Sequence, residues 1–245
     1  MKYLLYLCMS LALIFTSCEG KKNTSAAPLE SASETQNNSE EKKNTLSDSI
    51  DSEKNKNLKT YPEITNKNVV EFLTHYGAEN PETKVRISTQ HGDIDIELFE
   101  DTPLHRANFI FLVKQAYFDG SFFHRVVPDF IIQGGNSDNV KTTKKRAAIG
   151  NNYLLPAELE NGRTHRYGTV SGAKEYRENP DKRTAPFEFF IFLGPQTATG
   201  HLNGNYTIFG KVTKGMEVVE KISELPADEG DWPLQNVYIK AEVLR

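Results

Sequence analysis

The sequence predicts a mainly β domain, a closed eight-stranded antiparallel barrel capped by two α-helices, behind a long N-terminal segment that does not fold. Three observations lead there. Between Lys84 and Leu244 eight short alternating or apolar runs follow one another, broken by turn residues. Only two stretches of that region carry helical periodicity. Many short strands with few helices remove their exposed edges by closing on themselves.

The elements follow in order. Val85, Ile87 and Thr89 alternate with polar residues, His91-Gly92-Asp93 turns the chain, and Ile94, Ile96 and Leu98 alternate again. These runs predict a hairpin. Thr102-Pro103 opens a helix to about Ala116, with proline suited to the first turn. Strands are predicted at 122–127, 130–133, 168–173, 187–193 and 206–212. A second helix is predicted over 217–223, and one last strand over 236–244.

Ahead of the barrel, Val69, Val70, Phe72, Leu73 and Tyr76 cluster with helical spacing. Thr65 or Asn66 suits its start, Gly77 its end, and Pro81 stops it. Residues 61–82 therefore read as a short amphipathic extension that docks on the domain or binds a partner. Residues 18–60 are rich in Ser, Asn, Lys, Glu and Thr and read as a disordered tether, too poor in apolar groups to offset ordering entropy.

The extreme N-terminus reads as a targeting segment. Lys2 precedes an apolar run from Tyr3 to Phe15, too short for a bilayer span of ~20 residues but suited to a signal-peptide core. Thr16 and Ser17 then lead to Cys18. This resembles the lipobox of bacterial lipoproteins, with Phe15 a departure, and implies lipidation of Cys18 after removal of residues 1–17. The only other cysteine, Cys8, would leave with the leader, so the mature chain has no internal disulfide. The expected location is the cell envelope, anchored to a bacterial membrane by lipid on its periplasmic or outer-membrane side. The net charge of −4 does not point to nucleic acid.

Six blocks in the barrel region resemble the cyclophilins. They are His91-Gly92-Asp93-Ile94 with Glu97-Leu98; Pro103 with Asn108-Phe109; Phe123 to Pro128; Phe130 to Gly135; Gly168 to Ser171; and Phe189-Phe190-Ile191 with Phe209 to Val212. The resemblance covers residues 84–245, within a domain taken as 83–245. It implies the cyclophilin barrel and peptidyl-prolyl cis/trans isomerase activity on X-Pro segments of client proteins, without a cofactor and as a monomer.

The reaction asks little of a protein. Amide resonance sets a barrier of ~18–20 kcal/mol, and no covalent bond breaks, so neither nucleophile nor metal is required. Twisting returns the lone pair to the prolyl nitrogen, and a fixed donor aimed there binds the transition state better than the planar amide. Arg125 suits that role, being planar, multidentate and always charged. Gln133, eight positions on across the Pro128-Asp129 turn, shares a face with it if the two strands pair. Gln133 then orients Arg125 or binds the substrate backbone. By resemblance Phe130, Ile131, Phe190 and Leu202 line the proline pocket, and backbone at Ala173 and Lys174 holds the residue before proline.

Four substrate-binding positions depart from the family pattern. Glu188 stands where glutamine is usual, His201 for tryptophan, Tyr206 for histidine and Lys174 for asparagine. Glu188 is expected to accept from Arg125, and either withholds it from substrate or favours basic peptides. Losing the indole implies weak binding of cyclosporin-type inhibitors. The segment 136–150 lacks the family's glycine-rich loop, the Lys141 to Arg146 run within it reads as a solvated loop, and an insertion spans 174–186. His124 is expected to be structural, hydrogen-bonded inside the barrel. Ser171-x-x-Lys174 with Ser137-Asp138-Asn139 matches penicillin-binding motifs, but in reversed order and in a strand. The rival reading is a proline-binding module or chaperone with little turnover.

Overall fold

The computed structural model describes residues 61–174 and 179–245. The expected signal peptide, Cys8, Cys18 and the tether lie outside the described residues. Helix α1 (Val69–Glu79) turns Val69, Leu73, Tyr76 and Gly77 inward at helical spacing. Its boundaries correct the expectation. The Asn68 side-chain oxygen accepts from the Thr65 N–H at 2.7 Å and its amide donates to the Glu63 carbonyl at 3.0 Å, closing a turn that delays the helix to Val69. Gly77 lies inside the helix, where a Cβ would stand 3.0 Å from the Ala107 Cβ, so its smallness serves close approach of the next helix. Asn80 ends α1, just before Pro81.

Helix α2 (Pro103–Lys114) receives α1. Tyr61, Phe72 and Tyr76 meet Phe111 edge-on at centroid distances of 5.2, 5.3 and 5.1 Å. The Arg106 guanidinium donates to the Gly77 and Asn80 carbonyls at 3.2 and 3.0 Å, at the helix end where a cation is favoured. Of the two fates left open for the extension, it docks on the domain.

The strands are β1 (Lys84–Thr89), β2 (Gly92–Leu98), β3 (Phe122–Val127), β4 (Ile131–Asn136), β5 (Thr169–Gly172), β6 (Phe189–Phe192), β7 (Ile208–Lys214), β8 (Val237–Tyr238) and β9 (Lys240–Val243). Among the described residues these nine form one antiparallel sheet in the order β8-β3-β4-β6-β5-β7-β2-β1-β9. The expected count was eight, and the difference lies at the closure. The single run predicted over 236–244 pairs with both edges of the sheet. Val237 and Tyr238 oppose Phe123 and Phe122 of β3, whereas Lys240 to Val243 oppose β1. Ile239 between them donates to the Ser121 carbonyl at 2.8 Å. One continuous segment thus carries both edges and shuts the barrel.

Val85, Ile87, Ile94, Ile132, Val170, Phe189, Ile191 and Val237 fill the interior with at most 1% exposure. Helix α2 packs on β7 and β9, and α4 (Met216–Ser223), which buries Val218, Val219 and Ile222, packs on β2, β3 and β4. A further helix, α3 (Val140–Ile149), contains the Lys141 to Arg146 run that was expected to be a solvated loop. It buries only Thr142 and Ile149, so no apolar stripe announces it. Polar bonds hold it instead. Asn139 caps it by accepting from the Lys141 N–H at 2.9 Å, and the Lys145 ammonium donates to the Ala116 and Asp119 carbonyls. The Ser137-Asp138-Asn139 sequence is this cap.

Candidate active site

Strand alternation sorts β4 and β6 into two faces. Ile132, Phe189 and Ile191 enter the barrel, whereas Ile131, Phe190 and Phe192 join Leu202 in a separate cluster outside it. Register then aligns a row across four strands. Arg125 opposes Gln133, Gln133 opposes Phe190, and Phe190 opposes Ser171. The predicted pairing of Arg125 with Gln133 on one face is therefore observed. A bulge helps, because the register slips between Phe123 and Arg125 and leaves His124 as the extra residue. His124 and Arg125, though adjacent in sequence, both line the outer cleft. His124 was expected inside the barrel, and the bulge is what turns it out.

A small cavity of about 60 Å³ lies over this face. Arg125, Phe130, Ile131, Gln133, Ala173, Lys174, Phe190, His201, Leu202 and Tyr206 line it, so every predicted site residue of the barrel except Glu188 meets here. Phe130 lies just before β4, and its carbonyl accepts from the Leu193 N–H at 2.7 Å. A six-residue 3₁₀ turn, Gln196–His201, brings His201 within 6.0 Å of the Phe130 ring. Tyr206 precedes β7, not inside it as predicted, and packs edge-on to Phe190 at 5.6 Å. The Lys174 ammonium sits 4.7 Å over the Tyr206 ring, and its pKa is lowered by burial and by Lys182. The Ala173 N–H is already spent on the Glu188 carbonyl at 3.2 Å.

Glu188 lines an adjoining, larger cleft of about 700 Å³ that shares Arg125, Gln133 and Lys174 with the first. Its carboxylate does not accept from Arg125, which corrects the expectation. It accepts from the Gln133 amide at 3.0 Å and lies 3.6 Å from both His124 Nε2 and Arg146 Nη2. Burial pushes this carboxyl up, but the His124 and Arg146 neighbours and the Gln133 amide outweigh it and hold the pKa below the usual range. Gln133 therefore serves Glu188 instead of orienting Arg125. Arg125 is engaged elsewhere, its Nε–H donating to Asp231 Oδ2 at 3.1 Å.

Sequence reasoning missed four contributors. Arg146 reaches the cleft from α3 and donates to the Tyr117 hydroxyl at 2.8 Å. Asp231 comes from the loop before β8. His165 stacks on Phe190 at 5.8 Å with the rings 6° apart, backing the pocket wall. Asn203 Oδ1 accepts from both the backbone N–H and Nδ1 of His165, at 2.8 and 2.9 Å, which directs His165 Nε2 to the Ser171 hydroxyl at 3.0 Å. Ser171 is fully buried in that chain, consistent with setting aside the Ser-x-x-Lys motif.

The family profile described as cyclophilin type peptidyl-prolyl cis-trans isomerase/CLD matches residues 84–243. This chain belongs to the cyclophilins. A peptidyl-prolyl cis-trans isomerase of Acinetobacter baylyi is 36% identical over 146 residues, covering 59% of this chain and 73% of that protein. Peptidyl-prolyl cis-trans isomerase A of Dickeya dadantii is 33% identical over 172 residues, covering 69% and 85%. A crystal structure of a Cryptosporidium parvum cyclophilin type isomerase, determined in the presence of the dipeptide Ala-Pro, superposes with a TM-score of 0.55 at 28% identity, over 66% of this chain and 99% of that one. The chain is accordingly a peptidyl-prolyl cis-trans isomerase. The barrel, its open outer face and the order of the sequence blocks agree with that membership.

Proposed function

We propose that this cyclophilin speeds X-Pro rotation in exported or envelope proteins by offering the Arg125 guanidinium to the twisted prolyl amide above an apolar pocket. The observation carrying this is the row in which Arg125 lies opposite Gln133, beside the cluster of Ile131, Phe190 and Leu202. The apolar wall strips water from the proline ring. A donor fixed at its rim gains strength as the amide leaves planarity, because the lone pair is then localised on nitrogen. Catalysis then needs no titrating group and no cofactor. Exchange spectroscopy on a short X-Pro peptide tests it. Arg125→Ala is expected to lower kcat/KM by about 10²-fold. An unchanged rate would remove the guanidinium from the mechanism. Peptide binding without enhanced exchange in the parent would instead favour a proline-binding module.

The placement at the envelope rests on Lys2, the apolar run to Phe15, and Cys18. A monomer tethered by a lipid on Cys18 would meet X-Pro segments of clients as they cross or leave the membrane. Uncatalysed rotation takes tens to hundreds of seconds, slow enough to limit their folding. Metabolic labelling with a fatty acid is expected to tag the parent and not Cys18→Ser, which should also leave the membrane fraction. Equal labelling of both would sink the anchor.

A further inference from the structure

We propose that Asp231 is the positioning residue of this isomerase, clamping Arg125 through Nε so that its two terminal nitrogens face the substrate. The inference rests on the Arg125 reading above. Among the described residues, the bond from Nε–H to Asp231 Oδ2 at 3.1 Å is the guanidinium's one hydrogen bond to the protein. Arginine is long and rotamer-rich, and at 36% side-chain exposure no other hydrogen bond from a described residue holds its tip. A donor that must be in place before the amide twists gains from being fixed in advance. The carboxylate offsets part of the positive charge, so the arrangement favours orientation over bare field strength.

The loop carrying Asp231 is built to hold it there. Its own carbonyl accepts from the N–H of Val126, the residue after Arg125, at 2.8 Å. Asp228 braces the turn, accepting from the Gly230 and Trp232 N–H groups at 2.8 and 3.0 Å. Trp232 packs on Phe122 at 5.3 Å and on His124 at 5.9 Å, anchoring the loop on β3 itself. Asp231 takes a left-handed backbone with φ of 64°, a region that aspartate and asparagine enter more readily than most side-chain-bearing residues. An exposed ion pair adds little to stability, so its effect belongs in turnover.

The test uses variants that tolerate this backbone. Asp231→Gly removes the carboxylate without strain, and Asp231→Asn keeps a neutral acceptor. In the exchange assay Asp231→Gly is expected to lower kcat/KM roughly 10-fold, mostly in kcat, short of the ~10²-fold that a 1 Å misplacement can cost. Asp231→Asn should recover most of that loss. In an Arg125→Ala background, Asp231→Gly should have no further effect, which a general loosening of the fold would not produce. A parental rate in Asp231→Gly, or an equal loss in both backgrounds, overturns the proposal. Full activity of Arg125→Ala alone instead overturns the Arg125 reading, so the two failures are separable.

Discussion

Glu188 alters the charge of the cleft without bonding to the Arg125 guanidinium. Its carboxylate is enclosed by Gln133, His124 and Arg146, while Lys174 and Arg125 stand nearby on the same cleft. The basic-peptide preference expected from a bare carboxylate is weakened, because the charge is already matched. Glu188→Gln leaves those cations unopposed. Turnover of acidic relative to basic X-Pro peptides should rise about 2- to 5-fold, the size of a partly screened pair. A ratio equal to the parent's would remove Glu188 from substrate selection. The sign with pH follows from the depressed carboxyl. The stability it contributes is present above the ordinary value of 4.5 and is lost as pH falls through the lower folded value. In acid unfolding, the gap between parent and Glu188→Gln should therefore narrow below that range.

Two elements shape the cleft in ways that hydrophobic periodicity does not reveal. The β3 bulge at His124 puts consecutive residues on one face, whereas strict alternation would send one of them into the barrel. Helix α3 forms from Val-Lys-Thr-Thr-Lys-Lys-Arg-Ala-Ala-Ile, with its cap and its lysine and arginine contacts in place of an apolar stripe. Asn139→Ala removes the cap and should cost about 1 kcal/mol by urea unfolding. Because α3 delivers Arg146, the same change should loosen the Glu188 cluster. Unfolding that matches the parent would mean that tertiary contacts alone hold α3. Gly135 shows why β4 ends as it does: with φ of +101°, a Cβ there would lie 2.2 Å from the Phe187 carbonyl oxygen. Its glycine lets the strand lie close beside the chain leading into β6.

At the scale of the whole molecule, the N-terminal extension belongs to the domain. Ile64, Val69, Leu73 and Tyr76 are almost wholly buried, and the Ile64 N–H donates to the Ile149 carbonyl at 2.7 Å. That bond ties the extension to the end of α3, hence to the helix lining the larger cleft. Leu73→Ala should destabilise the fold by about 2–5 kcal/mol, as for a core leucine. A change within experimental error would mark α1 as a detachable appendage. The active face itself is assembled from β3, β4, β5 and β6, with the 3₁₀ turn at its rim, and no two neighbouring elements suffice to make it.

The resemblance to the cyclophilins supplied the set of side chains around the small cavity, whereas the sequence pattern by itself determined the strands to within a few residues, the helices α1, α2 and α4, and the hairpin that pairs Arg125 with Gln133. The strands, the helices and that hairpin are local features. Alternation assigns faces, turn residues end strands, and Phe123 to Gly135 place Arg125 and Gln133 on paired strands of a single hairpin. Only the tertiary structure decided which partner each charge takes. Glu188 went to Gln133, 55 positions away, and Arg125 to Asp231, 106 positions away. A pattern of apolar residues specifies burial but carries no record of which distant loop closes over it. Ion-pair choice depends on separations of a few ångströms, and these exist only once the barrel has closed.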